Sequence, residues 1–291
     1  MGRVIVIGNA GLDLRLAVPR LPQPGETLIG HESSRAPGGK GLNQAVVAAR
    51  CGAEVRFCAP LGNDEPQARE VEAHLANEPI AERMMLRGGH PTDFSLLMVL
   101  PNGENSIVST SACSLAMTRE QAAPALREAG EGDVVLLQGN LALDTTGFIL
   151  AAARETQART VFNPAPFWPG AERLVGDCSL VVANEVEAQA LGDAIAAAER
   201  AIVTLGGAGC ALVERGARRH FAAEPVTAVD TTGCGDAFCG TLAAMLARGS
   251  SIEQAIGAAQ RAAALTATRP GAFAALPSAA ELSEISRSAA R

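Results

Sequence analysis

Short apolar runs of strand length alternate along the chain with segments whose apolar positions recur at helical spacing. The runs cover Val4–Ile7, Val134–Gln138 and residues 160–162, 180–183 and 201–205. Helical spacing connects the apolar residues at 42, 45, 46 and 49, then at 148, 149 and 152, and later at 238, 242 and 245. Strands that are apolar throughout belong to a parallel sheet buried on both faces. The pattern predicts an α/β protein with three layers and a mostly parallel central sheet.

Two segments interrupt this alternation. Residues 12–35 alternate polar and apolar positions around three prolines, and residues 93–110 contain two alternating runs joined by Pro101-Asn102-Gly103. Asn-Gly between such runs is a strong hairpin signal. The two segments predict a small antiparallel sheet, formed by about residues 10–36 and 91–111, within a single domain over 1–291. Two interpretations stay open: plain surface excursions, or a lid that closes over a site at the strand ends.

Composition and charge exclude several classes of protein. The 291 residues carry a net charge of −7, which gives no long-range attraction for nucleic acid or an anionic membrane surface. No apolar stretch approaches the ~18 residues of a membrane span. Residues 1–8 are too short for a signal peptide and are predicted to be the first buried strand. The seven cysteines form no Cys-x-x-Cys pair and the four histidines are scattered, so we expect reduced thiols, no structural zinc and a cytoplasmic protein.

The densest turn chemistry lies at Thr231-Thr232-Gly233-Cys234-Gly235-Asp236, directly before a predicted helix over 237–248. Glycines at a helix start leave backbone N–H groups free to face an anion, with help from the helix dipole. An ordinary glycine-rich loop with an aspartate cap is the alternative. The chain has no Walker-type phosphate loop, no dinucleotide-binding loop and no nucleophile elbow of a serine hydrolase. Lys40 is followed by glycine rather than Ser or Thr, the glycines at 206–209 lack dinucleotide spacing, and no Gly-x-Ser-x-Gly occurs.

Taken together, the glycine-rich segments resemble the two signatures of the ribokinase-like carbohydrate kinases, the PfkB family. The first signature is similar to Pro37-Gly38-Gly39-Lys40-Gly41-Leu42-Asn43-Gln44-Ala45 and continues through Leu61-Gly62-Asn63-Asp64. The second is similar to the stretch from Val229 to Phe238. Asn163-Pro164-Ala165-Pro166, Asn184-Glu185-Val186-Glu187 and Val203-Thr204-Leu205-Gly206 lie between them in family order. The resemblance covers essentially the whole chain, and its first signature is closest to that of the ribokinase members.

The resemblance implies transfer of the γ-phosphoryl group of ATP to a primary hydroxyl of a furanose, with D-ribose to ribose 5-phosphate as the best guess. Asp236 is then the general base, and the amides of Gly233, Cys234 and Gly235 form the anion hole. The implied sugar ligands are Asp13, Gly39, Lys40, Asn43 and Asn140, together with Asp236. Lys40 is also the single lysine beside 23 arginines.

For the nucleotide, the resemblance implies Asn184, Thr204, Gly206, Gly207, Gly209 and Gln260. Asn184 and Glu187 match an Asn-x-x-Glu motif that holds Mg²⁺ through water, whereas without the resemblance they indicate only a solvated helix start. Asp230 and Thr232 match a potassium site, but Ala275 stands where ribokinases often carry Ser, so dependence on K⁺ stays open. A homodimer formed through the small sheet is also expected.

Departures from the family pattern keep other substrates open. Gly11 stands where ribokinases have Asn, and Asn140 stands where they have Glu. A deoxy or differently configured furanose is one alternative, and a nucleoside with a base stacked on Phe94 is another. A phosphosugar whose second phosphate meets Arg15, Arg20, Arg35 or Arg87 is a third. A sugar-binding regulator without activity is the alternative from another functional class.

Overall fold

The computed structural model describes residues 2–63, 65–102 and 104–289, with side-chain surroundings given to residue 288. Asp64 of the first signature and Gly103 of the predicted hairpin turn lie outside the described residues. The strands are β1 (Val4–Ile7), β2 (Gly11–Ala17), β3 (His31–Gly38), β4 (Val55–Leu61), β5 (Glu82–Arg87), β6 (Asp93–Val99), β7 (Asn105–Ser109), β8 (Val134–Gln138), β9 (Arg159–Asn163), β10 (Leu180–Asn184), β11 (Arg200–Thr204), β12 (Cys210–Glu214) and β13 (Ala217–Phe221).

The helices follow the strands in regular alternation through most of the chain. They are α1 (Lys40–Arg50), α2 (Pro66–Leu75), α3 (Ala112–Leu115), α4 (Arg119–Ala122), α5 (Leu143–Glu155), α6 (Glu185–Leu191), α7 (Asp193–Ala197), α8 (Cys234–Ala247), α9 (Ile252–Ala267) and α10 (Ala279–Ala289). Short 3-10 turns lie at Ala123–Leu126, Ala171–Asp177, Gly206–Ala208 and Phe273–Ala275.

Nine strands form the main sheet, in the order β13-β12-β11-β10-β9-β8-β1-β4-β5. Its strands are parallel except for the hairpin β12–β13, which pairs antiparallel to β11 at one edge. One apolar core lies between the sheet and α1, α8 and α9, and the other lies under α5 on the opposite face. The predicted three-layer α/β architecture with a mostly parallel sheet is therefore confirmed.

A second, four-stranded sheet has the order β3-β2-β6-β7, and we call it the small sheet. Its strands β2 and β3 are inserted between β1 and α1, and β6 and β7 between β5 and α3. This confirms the predicted small sheet. Two of its three pairings are antiparallel and the central one, β2 with β6, is parallel. The prolines of residues 19–24 lie in the loop between β2 and β3, where no ladder hydrogen bond is required.

All seven cysteines are free, six of them buried and Cys234 half-buried, as expected for reduced core thiols. No helix among the described residues has the length and apolar character needed to cross a bilayer.

Candidate active site

A cavity of about 350 Å³ opens at the carboxyl ends of the parallel strands. Eight of the residues selected from the sequence line it, namely Lys40, Asn184, Glu187, Thr204, Thr232, Gly233, Gly235 and Asp236. Ligands of open α/β sheets bind at this edge. A larger cavity of about 790 Å³ lies at the opposite, amino ends of β8 to β11, but none of the residues selected from the sequence lines it. The smaller cavity is therefore the candidate site.

Four adjacent parallel strands each end on a polar residue at this edge, and those residues are Gln138, Asn163, Asn184 and Thr204. The register pairs Gln138 with Asn163 and Asn184 with Thr204. Their strands are otherwise apolar because both faces of the sheet are covered, so a polar side chain is accommodated where the strand leaves the core. Three of these residues, Asn163, Asn184 and Thr204, line the cavity, so amide and hydroxyl groups face it along this edge.

Asp236 is buried in the first turn of α8 and its carboxylate is held by two side-chain amides. The Asn43 Nδ2 group donates to Asp236 Oδ2 and the Gln44 Nε2 group donates to Asp236 Oδ1, each at 3.0 Å. Both donors belong to α1, which crosses α8 so closely that a Cβ on Gly240 would lie 2.6 Å from the Gln44 carbonyl oxygen. This close crossing fixes the direction of the carboxylate toward the cavity.

Gln44 joins Asp236 to the strand ends in one buried amide network. Its Nε2 group also lies 3.3 Å from Asn163 Oδ1, and its Oε1 accepts from Gln138 Nε2 at 2.8 Å. The sequence analysis assigned no role to Gln44 or Asn163. A signal was available, because Lys40, Asn43 and Gln44 are spaced i, i+3, i+4 and so share one face of α1.

The loop before α8 exposes backbone amides to the cavity, as the glycine pattern predicts. Gly233 takes a φ of +83°, which favours glycine, and a Cβ on Gly235 would meet nothing within 4 Å. Within the described residues the N–H groups of Gly233 and Gly235 donate no hydrogen bond, whereas that of Cys234 donates to the Thr231 carbonyl at 3.3 Å. Two of the three predicted anion-hole amides are thus free. Burial, with Asp230 and Asp236 nearby, raises the pKa of the Cys234 thiol to about 11.

Asp13 lies on β2 of the small sheet, close to the charged side chains of Lys40 and Asp236. Burial raises the pKa of its carboxyl from 3.8 to about 6, the nearby Asp236 adds to this, and the Ser95 hydroxyl and Lys40 oppose it. A Cβ on Gly38 would lie 2.4 Å from the Asp13 carboxyl carbon. The small sheet therefore brings a carboxyl group with a raised pKa close to Lys40 and Asp236.

The glycines of the first signature also have a reason within the fold itself. Their spacing is typical of backbone that approaches a sugar, but a Cβ on Gly39 would instead lie 3.0 Å from Asn9 Nδ2, and one on Gly41 2.7 Å from Asn9 N. Gly39 also has a φ of +100°. Asn9, which the sequence analysis did not select, accepts from the Gly41 N–H through its Oδ1 and so holds the start of α1. The glycines thus accommodate Asn9 and Asp13.

Gly11, where ribokinases have Asn, has an equally local reason. A Cβ at this position would lie 2.1 Å from the Asp93 carbonyl oxygen of the neighbouring strand β6. No side chain fits there unless β2 and β6 separate, so the close pairing of these strands accounts for the departure.

Among the described residues, two buried side-chain oxygens of predicted sugar ligands have no hydrogen-bond partner, Asn43 Oδ1 and Asn140 Oδ1. Asn140 follows β8 and shares no hydrogen bond with the other predicted ligands among the described residues. A buried acceptor without a donor costs free energy, which a bound hydroxyl group would recover. These atoms suit a ligand rich in hydroxyl groups.

Asn184 and Glu187 form a reciprocal capping box at the start of α6. The Asn184 N–H donates to Glu187 Oε2 at 2.9 Å, and the Glu187 N–H donates to Asn184 Oδ1 at 2.8 Å. Burial raises the pKa of the Glu187 carboxyl, while the Asn184 N–H and Lys40 oppose the rise. Each Glu187 oxygen accepts one hydrogen bond from Asn184 and keeps capacity for water, so the pair fits Mg²⁺ held through its hydration shell.

The remaining predicted nucleotide residues lie outside the cavity lining. Gly206, Gly207 and Gly209 belong to the turn between β11 and β12, beyond Thr204. Gln260 of α9 donates to the Ala222 carbonyl at 3.3 Å, and its buried Oε1 has no partner in the part of the chain that the structure describes. A Cβ on Gly209 would lie 2.0 Å from the Phe221 carbonyl oxygen, so this glycine is required by the chain end of β13. Asp230 also lies outside the lining, whereas Thr232 is part of it.

The layered fold with a cavity over the carboxyl ends of its strands, covered by a small sheet, is that of a carbohydrate kinase. The pfkB family carbohydrate kinase model matches residues 1–279, and the chain belongs to this family. Ribokinase from Bacillus subtilis is 30% identical over 98% of this chain and 99% of its own. The crystal structure of ribokinase from Thermotoga maritima matches with a TM-score of 0.86 at 29% identity, over 99% of this chain and 100% of its own.

A third similarity concerns the fold alone. Ribokinase from Arabidopsis thaliana, solved in complex with ribose and ATP, matches with a TM-score of 0.83 at 24% identity, and the match covers 99% of each chain. The protein is a sugar kinase of the ribokinase-like group, as the two signatures predict.

Proposed function

We propose that the protein transfers the γ-phosphoryl group of ATP to a primary hydroxyl of a furanose sugar, with D-ribose as the first candidate. The observation that carries this proposal is the pairing of a buried, doubly held carboxylate with free backbone amides in one cavity. Asp236 accepts from Asn43 and Gln44, and the N–H groups of Gly233 and Gly235 lie at the same helix start.

Asp236 takes the proton of the sugar hydroxyl as that oxygen attacks the γ-phosphorus, while the bond from this phosphorus to the β-phosphate oxygen breaks and ADP leaves. The two amide donors fix its orientation, so its contribution comes chiefly from position. The free amides of Gly233 and Gly235, with the dipole of α8, stabilise the charge that spreads over the transferring phosphoryl oxygens. Lys40 lines the same cavity and makes no hydrogen bond within the described residues, so its ammonium group is available to an anionic ligand.

Sugar recognition falls to Asp13, Asn43 and Asn140, with backbone contacts at Gly39. Ionised Asp13 accepts two hydroxyl groups, and the partnerless oxygens of Asn43 and Asn140 each accept one. Mg²⁺ would be held by Asn184 and Glu187 through water, and when bound it neutralises charge on the phosphates. Thr204 and the turn at Gly206–Ala208 then continue along the nucleotide. The 30% identity to the Bacillus subtilis ribokinase, over nearly the whole chain, supports ribose as the acceptor.

Two alternative substrates have less support. The register pairs Ser95 with Asp13 on one face, so the adjacent Phe94 points to the opposite face of β6, away from the side on which a nucleobase would stack. The second-phosphate arginines all have carboxylate partners: Arg15 with Asp230, Arg20 with Glu26, Arg35 with Glu70 and Arg87 with Glu72. A furanose without a base or a second phosphate matches the site better.

The test is ADP release with ATP and Mg²⁺ over a panel of ribose, deoxyribose, fructose, other pentoses, nucleosides and sugar phosphates. Preferential turnover of ribose is expected. Preferential turnover of another sugar would make that sugar the assigned substrate. If no substrate gives ADP release, the non-catalytic sugar-binding regulator is favoured.

The Asp236→Asn variant tests the proposed base. We expect kcat to fall by about 10²- to 10⁴-fold while ATP binding, measured by titration calorimetry, is retained. Asn keeps the shape of the side chain and can still meet one of the two amide donors. Turnover within a few-fold of the wild type would exclude Asp236 as the base.

We also propose that the small sheet mediates a homodimer. The register places Leu14, Leu96 and Val108 side by side on the face opposite Asp13, and Val108 is 60% exposed. Such an apolar sheet face is a surface that a second copy would cover. Light scattering at micromolar concentration should give twice the chain mass, and Leu96→Arg should give a monomer; a monomeric wild type would contradict this proposal. Location in the cytoplasm remains a prediction from the sequence.

A further inference from the structure

Asp230, matched from the sequence to a potassium site, has its carboxylate surrounded by donors. Its Oδ1 accepts from the Thr232 N–H at 2.9 Å and from the Thr232 hydroxyl at 2.6 Å. Its Oδ2 accepts from the Gly271 N–H at 2.9 Å and faces Arg15 NH1 at 3.4 Å. A carboxylate offers about four lone-pair positions, and all four are taken. No lone pair remains for a metal ion.

The fourth donor also supplies a full positive charge. Arg15 lies on β2 of the small sheet, and its side chain is 24% exposed, against 12% for Asp230. Its NH1 atom lies 3.9 Å from where a Cβ on Gly271 would be, so the guanidinium covers the Gly271 turn and the Asp230 carboxylate together. A monovalent cation at Asp230 would be adjacent to this charge and would be repelled by it.

Two further oxygen donors near Asp230 are reduced. Ala275 has no side-chain oxygen, and the Ala275 N–H takes one of the two lone pairs of the Ala272 carbonyl at 3.1 Å. With Arg15 in place, the residues present therefore do not fit a potassium ion.

We infer that Asp230 binds no monovalent cation in this protein, because Arg15 of the small sheet occupies the open face of its carboxylate and neutralises it. The inference goes beyond the proposed reaction and does not depend on which sugar is the substrate. Through Thr232 the same ion pair holds the loop that presents the Gly233 and Gly235 amides. Arg15 is thus a positioning residue that fixes this loop to the small sheet.

The test compares thermal unfolding in potassium chloride and in tetramethylammonium chloride at equal ionic strength, a measurement that requires no turnover. The melting temperature of the wild type should be the same in both salts. The Arg15→Gln variant opens one lone pair and removes the charge, so potassium should raise its melting temperature by about 2 °C over tetramethylammonium. Arg15→Lys keeps a positive charge beside Asp230, so its melting temperature should be the same in both salts.

Arg35→Gln is the matched control. Arg35 belongs to β3 of the same sheet and pairs with Glu70 of α2, so its loss also removes one charge and one contact between the small sheet and the main body. Its melting temperature should not depend on the choice of salt.

Two outcomes overturn the inference. One is a higher melting temperature of the wild type in potassium than in tetramethylammonium. This measurement does not need the Arg15→Gln variant, so it decides the question even if that variant does not fold. The other is an Arg15→Gln protein that folds and is as indifferent to potassium as the wild type. ADP release should follow the same pattern, with a response to potassium in Arg15→Gln alone.

Discussion

Replacing Asp13 with Asn should make the protein more stable and a poorer kinase. Asp13 is the carboxyl group whose pKa burial raises from 3.8 to about 6, with Asp236 adding to the rise. An ionised Asp13 is therefore unfavourable in the folded protein at neutral pH. Asn has nearly the same shape, still accepts the Ser95 hydroxyl and carries no charge.

The size of the gain follows from the pKa shift. An acid whose pKa is higher in the folded state makes the free energy of unfolding fall as pH rises between about 4 and 6. A shift of about 2 units corresponds to about 3 kcal/mol, and the whole penalty applies above pH 6. Asp13→Asn should therefore match the wild type near pH 4 and exceed it by up to about 3 kcal/mol at pH 7.5. For a chain of this length that is about 6 °C in melting temperature.

The assay is urea unfolding of both proteins across pH 4 to 8, with Asp93→Asn as the control. Asp93 is a second buried aspartate of the small sheet, but its oxygens accept from the backbone N–H groups of Cys113 and Ser114. Its replacement puts an amide N–H against a backbone N–H and should destabilise the protein by about 1–3 kcal/mol.

In the same preparations, Asp13→Asn should lose about 10- to 100-fold in kcat/KM for the sugar. The wild type should also bind the sugar more weakly below pH 6, because Asp13 is then protonated.

Two results would refute this reasoning. One is a loss of stability in Asp13→Asn at pH 7.5, which would mean that the ionised carboxyl group is well compensated by its surroundings. Alternatively the gain could be the same at every pH, which would assign it to packing rather than to ionisation.

Three further substitutions test other parts of the site. Glu187→Gln keeps the backbone part of the capping box, because its amide oxygen still accepts the Asn184 N–H, but its NH₂ group then faces Asn184 Nδ2. The Mg²⁺ concentration for half-maximal rate should rise about tenfold, while the melting temperature falls only slightly because the pair is exposed; an unchanged Mg²⁺ requirement would remove Glu187 from the metal site. Gln44→Leu should lower kcat about tenfold with little change in KM, since Asp236 loses one of its two orienting donors; a change in KM alone would contradict a positioning role. Gly11→Asn should lower the free energy of unfolding by about 3 kcal/mol in denaturant titration, because its side chain meets the carbonyl of the paired strand, and a neutral result would show that the two strands separate easily.

Buried parallel strands were the part of the fold most visible in the sequence. The apolar runs at Val4–Ile7 and Val134–Gln138 are strands with those same ends, because a strand covered on both faces leaves polar residues only at its ends. The edge strand β13 was not predicted. Its sequence, ARRHF, is largely exposed and polar, so it has neither the apolar run nor the alternation that indicates a strand.

The candidate site was predictable where the residue type itself performs the chemistry, as at Asp236 and the two glycines before it. It was not predictable where function depends on how two helices cross. Gln44 is adjacent to Asn43 in the sequence, but only the close approach of α8 at Gly240 makes it a partner of Asp236. The glycines of the first signature show the same limit. The sequence linked them to a sugar, but the groups that crowd them, Asn9 and Asp13, come from other elements of the fold.

The position of Lys40 makes the cavity accessible to selective chemistry. It is the chain's one lysine, and its side chain lines the cavity beside Glu187 and Asp236. An amine-directed reagent can therefore modify one side chain per molecule, apart from the chain's amino terminus, and a single modified peptide reports on the site. Ligands that fill the cavity should slow that modification in proportion to their occupancy. Mass spectrometry of one peptide would then rank sugars and nucleotides as ligands before any turnover is observed.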